Sequence, residues 1–193
     1  MKWFSSDFHL GHHNIAGPSV SNWSGGYRDF ESVHEMNKTI IQTINKYVAE
    51  DDELYFLGDF CFGGHKKTPS YRWQINCLNI YVCRGNHDKH IDKYSECFVD
   101  IQDRMIVPYR DGITFLCDHY AHRVWEGSHK GTLHLFGHSH DSLPDYGRSM
   151  DVGIDVAYRL TGEYRPFSAE ELVKMLQQRP IEFPDHHKKN TNT

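Results

Sequence analysis

Five short apolar runs in this chain stop abruptly at clusters of aspartate, asparagine and histidine. Residues 2–6 run into Asp7-Phe8-His9, and 53–58 into Asp59. Residues 79–85 run into Asn86-His87-Asp88, 113–117 into Asp118-His119, and 133–136 into Gly137-His138-Ser139-His140. Runs this short, rich in Leu, Ile, Val, Tyr and Phe and bounded by turn residues, read as buried strands. A sixth strand is expected where Met150, Val152, Ile154 and Val156 alternate with Asp151, Gly153 and Asp155. Helical spacing of Val33, Met36, Ile40, Ile44, Tyr47 and Val48 predicts an amphipathic helix over 30–48. A shorter helix is expected over 71–77. Ser168-Ala169-Glu170-Glu171 forms a capping box opening a helix through Gln178. Strands alternating with helices predict a layered α/β fold.

In such folds ligands bind outside the carboxyl ends of the strands. Five loaded strand ends are hard to explain as packing. Asp7 and His9, two apart on what reads as an extended segment, are expected to point to one side, as are His138 and His140. Glycine before Asp59, Asn86 and His138 permits a tight turn and a close backbone approach. Asp7, His9, Asp59, Asn86, His119, His138 and His140 together offer seven nitrogen and oxygen donors. So many imidazoles with two carboxylates suit two ions sharing a bridging carboxylate better than one ion. No thiolate belongs to the set, which favours Mn²⁺, Fe²⁺, Zn²⁺, Co²⁺ or Ni²⁺ over Mg²⁺ or Ca²⁺.

Length and composition limit the rest. The 193 residues fit one domain over 1–179, followed by a polar tail over 180–193 in which His186 and His187 read as solvated. The net charge of −5 argues against a broad nucleic-acid-coating surface. Five cysteines without a C-x-x-C pair fit a reducing compartment, with Cys61 and Cys117 as packing residues. No apolar run approaches the roughly 18 residues of a membrane span, and no secretory signal is recognisable, so a cytoplasmic location is expected.

The ordered set D-x-H, G-D, G-N-H-D, H and G-H-x-H resembles the calcineurin-like metallophosphoesterase superfamily. The wider text is similar to its small single-domain bacterial and phage branch. The matching segments are Ser6-Asp7-Phe8-His9-Leu10-Gly11-His12-His13-Asn14-Ile15, residues 57–60, His119-Tyr120, residues 125–131, residues 134–140 and residues 164–168. The resemblance implies a four-layer α/β/β/α sandwich of two mixed β-sheets flanked by helices, the metallo-dependent phosphatase-like fold. It implies a dinuclear centre in which Asp7, His9 and His140 hold one divalent ion. Asn86, His119 and His138 would hold the other, and Asp59 would bridge. His87 is the implied residue that protonates the leaving oxygen or contacts the phosphate. Many members carry a second Asp soon after G-D to orient that histidine. Here the text reads Gly58-Asp59-Phe60-Cys61-Phe62, so what steadies His87 is left open.

The expected activity is hydrolysis of phosphoesters, diesters ahead of monoesters, through a hydroxide shared by the two ions. The partner is then a phosphoester substrate, a nucleotide among the candidates. Two divalent cations against Asp7 and Asp59 leave the cluster net positive despite the acidic chain. Arg28, Arg84, His122 and Arg123 are candidates for holding substrate phosphate, with Lys130 and His129 behind them. His12 is expected to support the ligands, and His34 and His65 to be exposed; Trp23 reads either as a stacking residue at the site mouth or as a surface aromatic. The competing readings are a nuclease, a docking module with a silent site, and a domain that metal merely stabilises.

Overall fold

The computed structural model describes residues 1–22, 28–63 and 66–185. Trp23, His65, His186 and His187 lie outside the described residues. The strands are β1 (Lys2–Ser5), β2 (Glu53–Phe56), β3 (Asn79–Cys83), β4 (Asp100–Gln102), β5 (Arg104–Pro108), β6 (Thr114–Asp118), β7 (Leu133–Phe136), β8 (Ser149–Asp151) and β9 (Phe167–Ser168). The helices are α1 (His13–Ala16), α2 (Val33–Tyr47), α3 (Lys67–Arg72), α4 (Ile154–Thr161) and α5 (Ala169–Gln177). They build an α/β sandwich of two mixed sheets. One sheet has the order β4-β3-β2-β1-β9, the other β5-β6-β7-β8. In the first, β1 to β4 are parallel and only β9 is reversed. In the second, β6, β7 and β8 are parallel and β5 is reversed.

Alternation along the strands divides the core in two. Leu54, Phe56, Ile80 and Val82 face outward and meet Met36, Ile40 and Ile44 of α2. The opposite face, Phe4, Tyr55, Leu57 and Cys83, packs on Phe115, Cys117, Leu133 and Leu135 of the second sheet, with α4 and α5 closing the gap through Val156, Ala157, Leu172 and Leu176. The α2 register follows from its N-cap, where the Ser32 side chain accepts from the Glu35 N–H at 3.1 Å. The expected capping box at Ser168 and Glu171 opens α5. The outer face of the second sheet is covered differently. Trp125 lies against the buried His134 ring, 5.3 Å between centroids, and Ile106 on β5 stays exposed.

Two expected elements are corrected. The helix assigned to 71–77 lies earlier, at α3, and ends where Arg72 turns inward. Buried Arg72 donates to the carbonyls of Cys97, Ile75, Cys77 and Leu78, which makes 73–78 a backbone wrapped around a guanidinium rather than a helix. The alternating strand through Val156 stops at Asp151. The Asp151 carboxylate accepts from the Gly153 N–H at 2.7 Å, and α4 starts at the next residue. Alternation and helix share their first apolar positions here, because both Ile154 and Val156 are buried whichever period the chain follows. Pro180 and Glu182 approach Gly147, so those first residues of the expected tail pack on the domain. No helix among the described residues is long and apolar enough to cross a membrane.

Arg72 generates a stability prediction. Arg72→Ala strands buried carbonyls and should cost about 3 kcal/mol, read from the urea midpoint. Arg72→Lys should recover less than half, since a single ammonium cannot span the four acceptors. A loss for the alanine variant below about 0.5 kcal/mol, the range of ordinary surface changes, refutes this role.

Candidate metal centre

The two parallel strand sets end at a common seam. The end of β1 bridges the end of β8, Ser6 against Gly153, and the Ile154 N–H donates to the Ser6 carbonyl. Beyond β1 and β2 the chain continues in tandem. Asp7 N–H donates to Gly58 O, His9 N–H to Asp59 O, and Leu10 N–H to Phe60 O. This pairing sets Asp7 and His9 beside Asp59. The Gly137 N–H donates to His119 O, which joins the ends of β6 and β7.

The expected extended geometry of Asp7-x-His9 and His138-x-His140 is not what the backbone does. Asp7 (φ 59°), His9 (φ 49°), Asp59 (φ 62°), His138 (φ 67°) and His140 (φ 45°) all occupy the left-handed region. Asp and His enter it more readily than most residues, yet such conformations cost on the order of 1–3 kcal/mol each and cluster at functional sites. The side chains converge all the same: Asp7 Oδ1 lies 3.8 Å from both His9 Nε2 and His140 Nε2. Glycine is required for close approach. A Cβ on Gly137 would sit 1.9 Å from Ser6 Oγ and 2.5 Å from Asp7 Oδ2, and one on Gly85 2.2 Å from Asp59 Oδ1.

The seven expected donors fall within one cluster. Asp59 Oδ2 stands 3.5 Å from His9 Nε2 and 3.7 Å from His119 Nε2. Asn86 Oδ1 stands 3.0 Å from His119 Nε2 and 3.0 Å from His138 Nδ1. Asp7, His9 and His140 form one metal-type grouping, and Asp7, Asp59 and His119 another. Two donors about 2.1 Å from one ion sit about 3–3.5 Å apart at right or tetrahedral angles, the scale of these separations.

Hydrogen bonding leaves the inner atoms without partners. Asp7 Oδ2 accepts from the His138 N–H at 2.9 Å, while buried Asp7 Oδ1 and His9 Nε2 have no hydrogen-bond partner. His119 Nδ1 donates to the Leu57 carbonyl at 2.8 Å, so in the neutral ring the Nε2 lone pair faces the Asn86 and Asp59 oxygens. His140 Nδ1 donates to Asp155 Oδ2 at 2.7 Å and likewise turns Nε2 inward. Acceptors facing one another in a buried site would be satisfied by a cation between them. Against its burial, the Asp155 hydrogen bond and the Asp7 charge raise the His140 imidazole, so a proton on His140 Nε2 also meets part of that demand. Burial works to raise the Asp7 carboxyl, but the facing imidazoles of His9, His140 and His119 outweigh it and hold it low. Burial pushes the His9 imidazole down, toward the neutral ring a ligand needs. His138 moves the same way and for the same first cause.

The surroundings supply residues that the sequence reading missed. Asp155 holds His140 and forms a two-armed ion pair with Arg28, 2.7 Å at Nε and 2.9 Å at NH2. Against its burial, Arg28 and His140 hold Asp155 well below the usual carboxylate range. Its signal was present, an Asp one residue into a segment opening after Gly153, but it was read as the polar side of a strand. Asp88 accepts from the N–H groups of Asp59, Phe60 and Gly85, locking the turn that presents Asn86 and His87. Burial raises its carboxyl. His12, by contrast, stands where the sequence puts it, beside a candidate ligand: it meets His9, Nδ1 to Nδ1 at 3.3 Å, and stacks on Phe62 at 3.9 Å; burial and the charges of His9 and His87 push it down to about 4. Asp151 is pushed up to about 7 by burial and by Asp7.

His87 stands at the rim. Its backbone N–H donates to Asp59 Oδ1 at 2.8 Å, and its half-exposed ring lies 4.6 Å from Phe62 and carries Nε2 to 4.0 Å from Asp59 Oδ2. Phe62 and this backbone bond, rather than Asp88, are what touch it. A cavity of about 710 Å³ opens over His9, Asp59, Asn86, His87, His138 and His140. The expected phosphate clamps are placed otherwise. Arg28 lines the cavity but is buried, and besides Asp155 it bonds the Asp7 and Phe8 carbonyls, so its donors are committed to the framework. Arg84 is paired with Asp92 and Asp103. His122 pairs with Asp118, Arg123 lies over Tyr146, and both line a separate cavity of about 350 Å³. Lys130 and His34 are exposed and line no part of the main cavity. The thiols are buried or half-buried, and burial pushes Cys61 up to about 11, a packing residue as expected.

Binding of a cation at this cluster should stabilise the fold. Mn²⁺ at 100 times its Kd should add about 2.7 kcal/mol, visible as a rise in Tm that EDTA reverses. Asp155→Asn should weaken Mn²⁺ binding about 10- to 100-fold by calorimetry. The same variant should be less stable than wild type above about pH 4, the ordinary carboxylate pKa being near 3.9. Because the folded-state value lies lower still, the gap should close as pH falls below that point. Equal Mn²⁺ affinity in the two proteins rejects the orienting role of Asp155.

No family model matches the chain. It is 30% identical over 182 residues to the uncharacterized protein MJ1445 of Methanocaldococcus jannaschii, covering 90% of this chain and 89% of that protein. It is 26% identical over 196 residues to the gene 66 protein of Mycobacterium phage L5, covering 82% and 88%. Among solved structures, the protein of unknown function AQ665 from Aquifex aeolicus shares the fold, with a TM-score of 0.65 at 22% identity over 91% of this chain and 98% of the other. The chain therefore belongs to the same family as the archaeal protein MJ1445.

Proposed function

We propose that this chain is a dinuclear-metal-dependent phosphoesterase of the calcineurin-like metallophosphoesterase superfamily, acting on phosphodiesters in preference to monoesters. The observation that carries the reading is the buried pair of unpartnered donors, Asp7 Oδ1 and His9 Nε2, at the meeting point of five strand ends. These residues fit a cation because two buried ligand atoms, one carboxylate oxygen and one ring nitrogen, face inward without a hydrogen-bond partner. Asp7, His9 and His140 would hold one ion, and Asn86, His119 and His138 a second. Asp59 Oδ2, within 3.7 Å of both His9 and His119, is placed to be shared. Asp7 also borders both groupings, but its second oxygen is already taken by the His138 N–H.

When bound, divalent cations supply positive charge for the phosphoryl oxygens and a water acidified toward neutral pH. The chain does the rest. Arg28, Asp155 and His140 form a line of charge-assisted bonds that fixes one imidazole before substrate arrives. Leu57 O fixes the His119 tautomer. His87, open to the cavity and anchored at its own backbone, is placed to give the Nε2 proton to the departing ester oxygen. Nitrogen and oxygen donors without thiolate fit Mn²⁺, Fe²⁺, Zn²⁺, Co²⁺ or Ni²⁺.

The direct test is release of p-nitrophenol from bis-p-nitrophenyl phosphate in the presence of Mn²⁺; no release with any of the five metals defeats the reading. His87→Ala should lower kcat for an alkyl phosphodiester by about 10²–10⁴-fold, the range of a general acid. It should affect the nitrophenyl ester far less, because that leaving group departs without a proton. Equal losses on both esters count against proton donation. Asp59→Asn should reduce bound metal at both positions by elemental analysis, and full occupancy removes Asp59 as the shared ligand.

A further inference from the structure

The cavity over the metal-type cluster is larger than a phosphoryl group requires, and its far wall is aromatic. A volume of about 710 Å³ falls within the range of roughly 300–1,000 Å³ that takes a whole small-molecule ligand. Away from the histidines it is lined by Ile15, Tyr158 and Tyr164. These tyrosines belong to a column of rings. Phe30 lies 5.0 Å from Tyr164, and Tyr158 stacks on Tyr164 at 4.3 Å with only 10° between the planes. Tyr164 is buried, whereas Tyr158, at the end of the column, is 45% exposed. The column is held rigid from beneath, since the Arg28 guanidinium sits 5.8 Å from the Tyr164 ring while bonded to Asp155. Tyr158 follows Asp155 by three positions on α4, so one helical turn carries both the carboxylate that orients His140 and the outermost ring.

The charges of this wall narrow what it can receive. Among the described lining residues outside the metal-type cluster, the carboxylates Asp29, Asp141 and Asp155 accompany a single guanidinium, Arg28, whose donors are committed. A second phosphate would meet no uncommitted arginine or lysine there. A flat, uncharged ring meets a flat, preordered ring, with carboxylate and serine oxygens (Asp29, Ser139, Ser142) at the margin to accept from its N–H groups.

We propose that the open face of Tyr158 is a stacking subsite for a nucleobase on the non-leaving side of a phosphodiester, which makes the substrate class nucleoside phosphodiesters; this rests on the phosphoesterase reading above. Three p-nitrophenyl phosphodiesters separate the contributions: thymidine 5′-(p-nitrophenyl phosphate), its abasic deoxyribose counterpart, and methyl p-nitrophenyl phosphate, all with Mn²⁺. In the wild type kcat/KM should favour the thymidine ester over the abasic one by about 10-fold, the scale of one base stacked on an aromatic ring. Tyr158→Ala should erase that ratio, mainly through KM, and Tyr158→Phe should keep it, because stacking needs the ring and not the hydroxyl. A ratio unaltered in Tyr158→Ala overturns the subsite. A preference for both sugar esters over the methyl ester, with no base effect, replaces nucleobase by sugar and also overturns it.

A second readout does not depend on turnover. Saturation-transfer NMR with thymidine 5′-monophosphate should show the base protons saturated in wild type and Tyr158→Phe, and not in Tyr158→Ala. If none of the three esters is hydrolysed with any of the five metals, the phosphoesterase reading has failed, and this spectrum alone decides the subsite. Absence of base saturation in the wild type refutes it.

Discussion

Everything at the seam of this sandwich depends on one buried carboxylate. Asp7 is fully enclosed, follows the end of β1, accepts from the His138 backbone, and directs its other oxygen at His9 and His140. A lone carboxylate in that position carries a large desolvation penalty, which the facing imidazoles of His9, His140 and His119 offset. The chain surrounds it with further acids yet arranges them differently. Asp155 is answered by Arg28, Asp88 by three backbone N–H groups, and Asp151 drifts toward the neutral form. Asp7 and Asp59 are left aimed at ring nitrogens. Positive charge at the centre of the site, as the proposed cations would supply, would complete its electrostatic balance.

The fold is what allows these groups to meet. Parallel strands bring their carboxyl ends to one edge, and each sheet has three such strands contributing to the seam. The bridge from Ser6 to Gly153 then binds one edge to the other. Donors separated by more than a hundred residues, such as Asp7 and His138, thereby come into hydrogen-bond contact. Helix α4 opens at the same seam, so the supporting residues Asp155 and Tyr158 arrive on a rigid element rather than on a loop.

Much of this was legible in the chain itself. The five strand ends, the α2 face, the Ser168 capping box and the seven donors follow from period, turn chemistry and residue type. What escaped has identifiable causes. The 150–156 segment satisfies period two and the start of a helix equally, and only the Gly153 turn settles it. Arg72 and Arg28 look like any surface arginine in sequence, while burial and carbonyl acceptors make them struts. Left-handed backbone at Asp7, His9, His138 and His140 has no sequence signature when the residue is not glycine, so the correct convergence was expected for an incorrect reason. Asp155 was visible only as one polar position among several, because its meaning lies in His140 and Arg28, each distant along the chain.

The glycine walls have a consequence for how such a centre is made. Behind Asp7 stands Gly137, and behind Asp59 stands Gly85, each without room for even one methyl group. The carboxylates have no space to recoil from one another, so whatever repulsion they feel is met while the polypeptide folds. A cation taken up there would meet a finished mould, not a flexible claw.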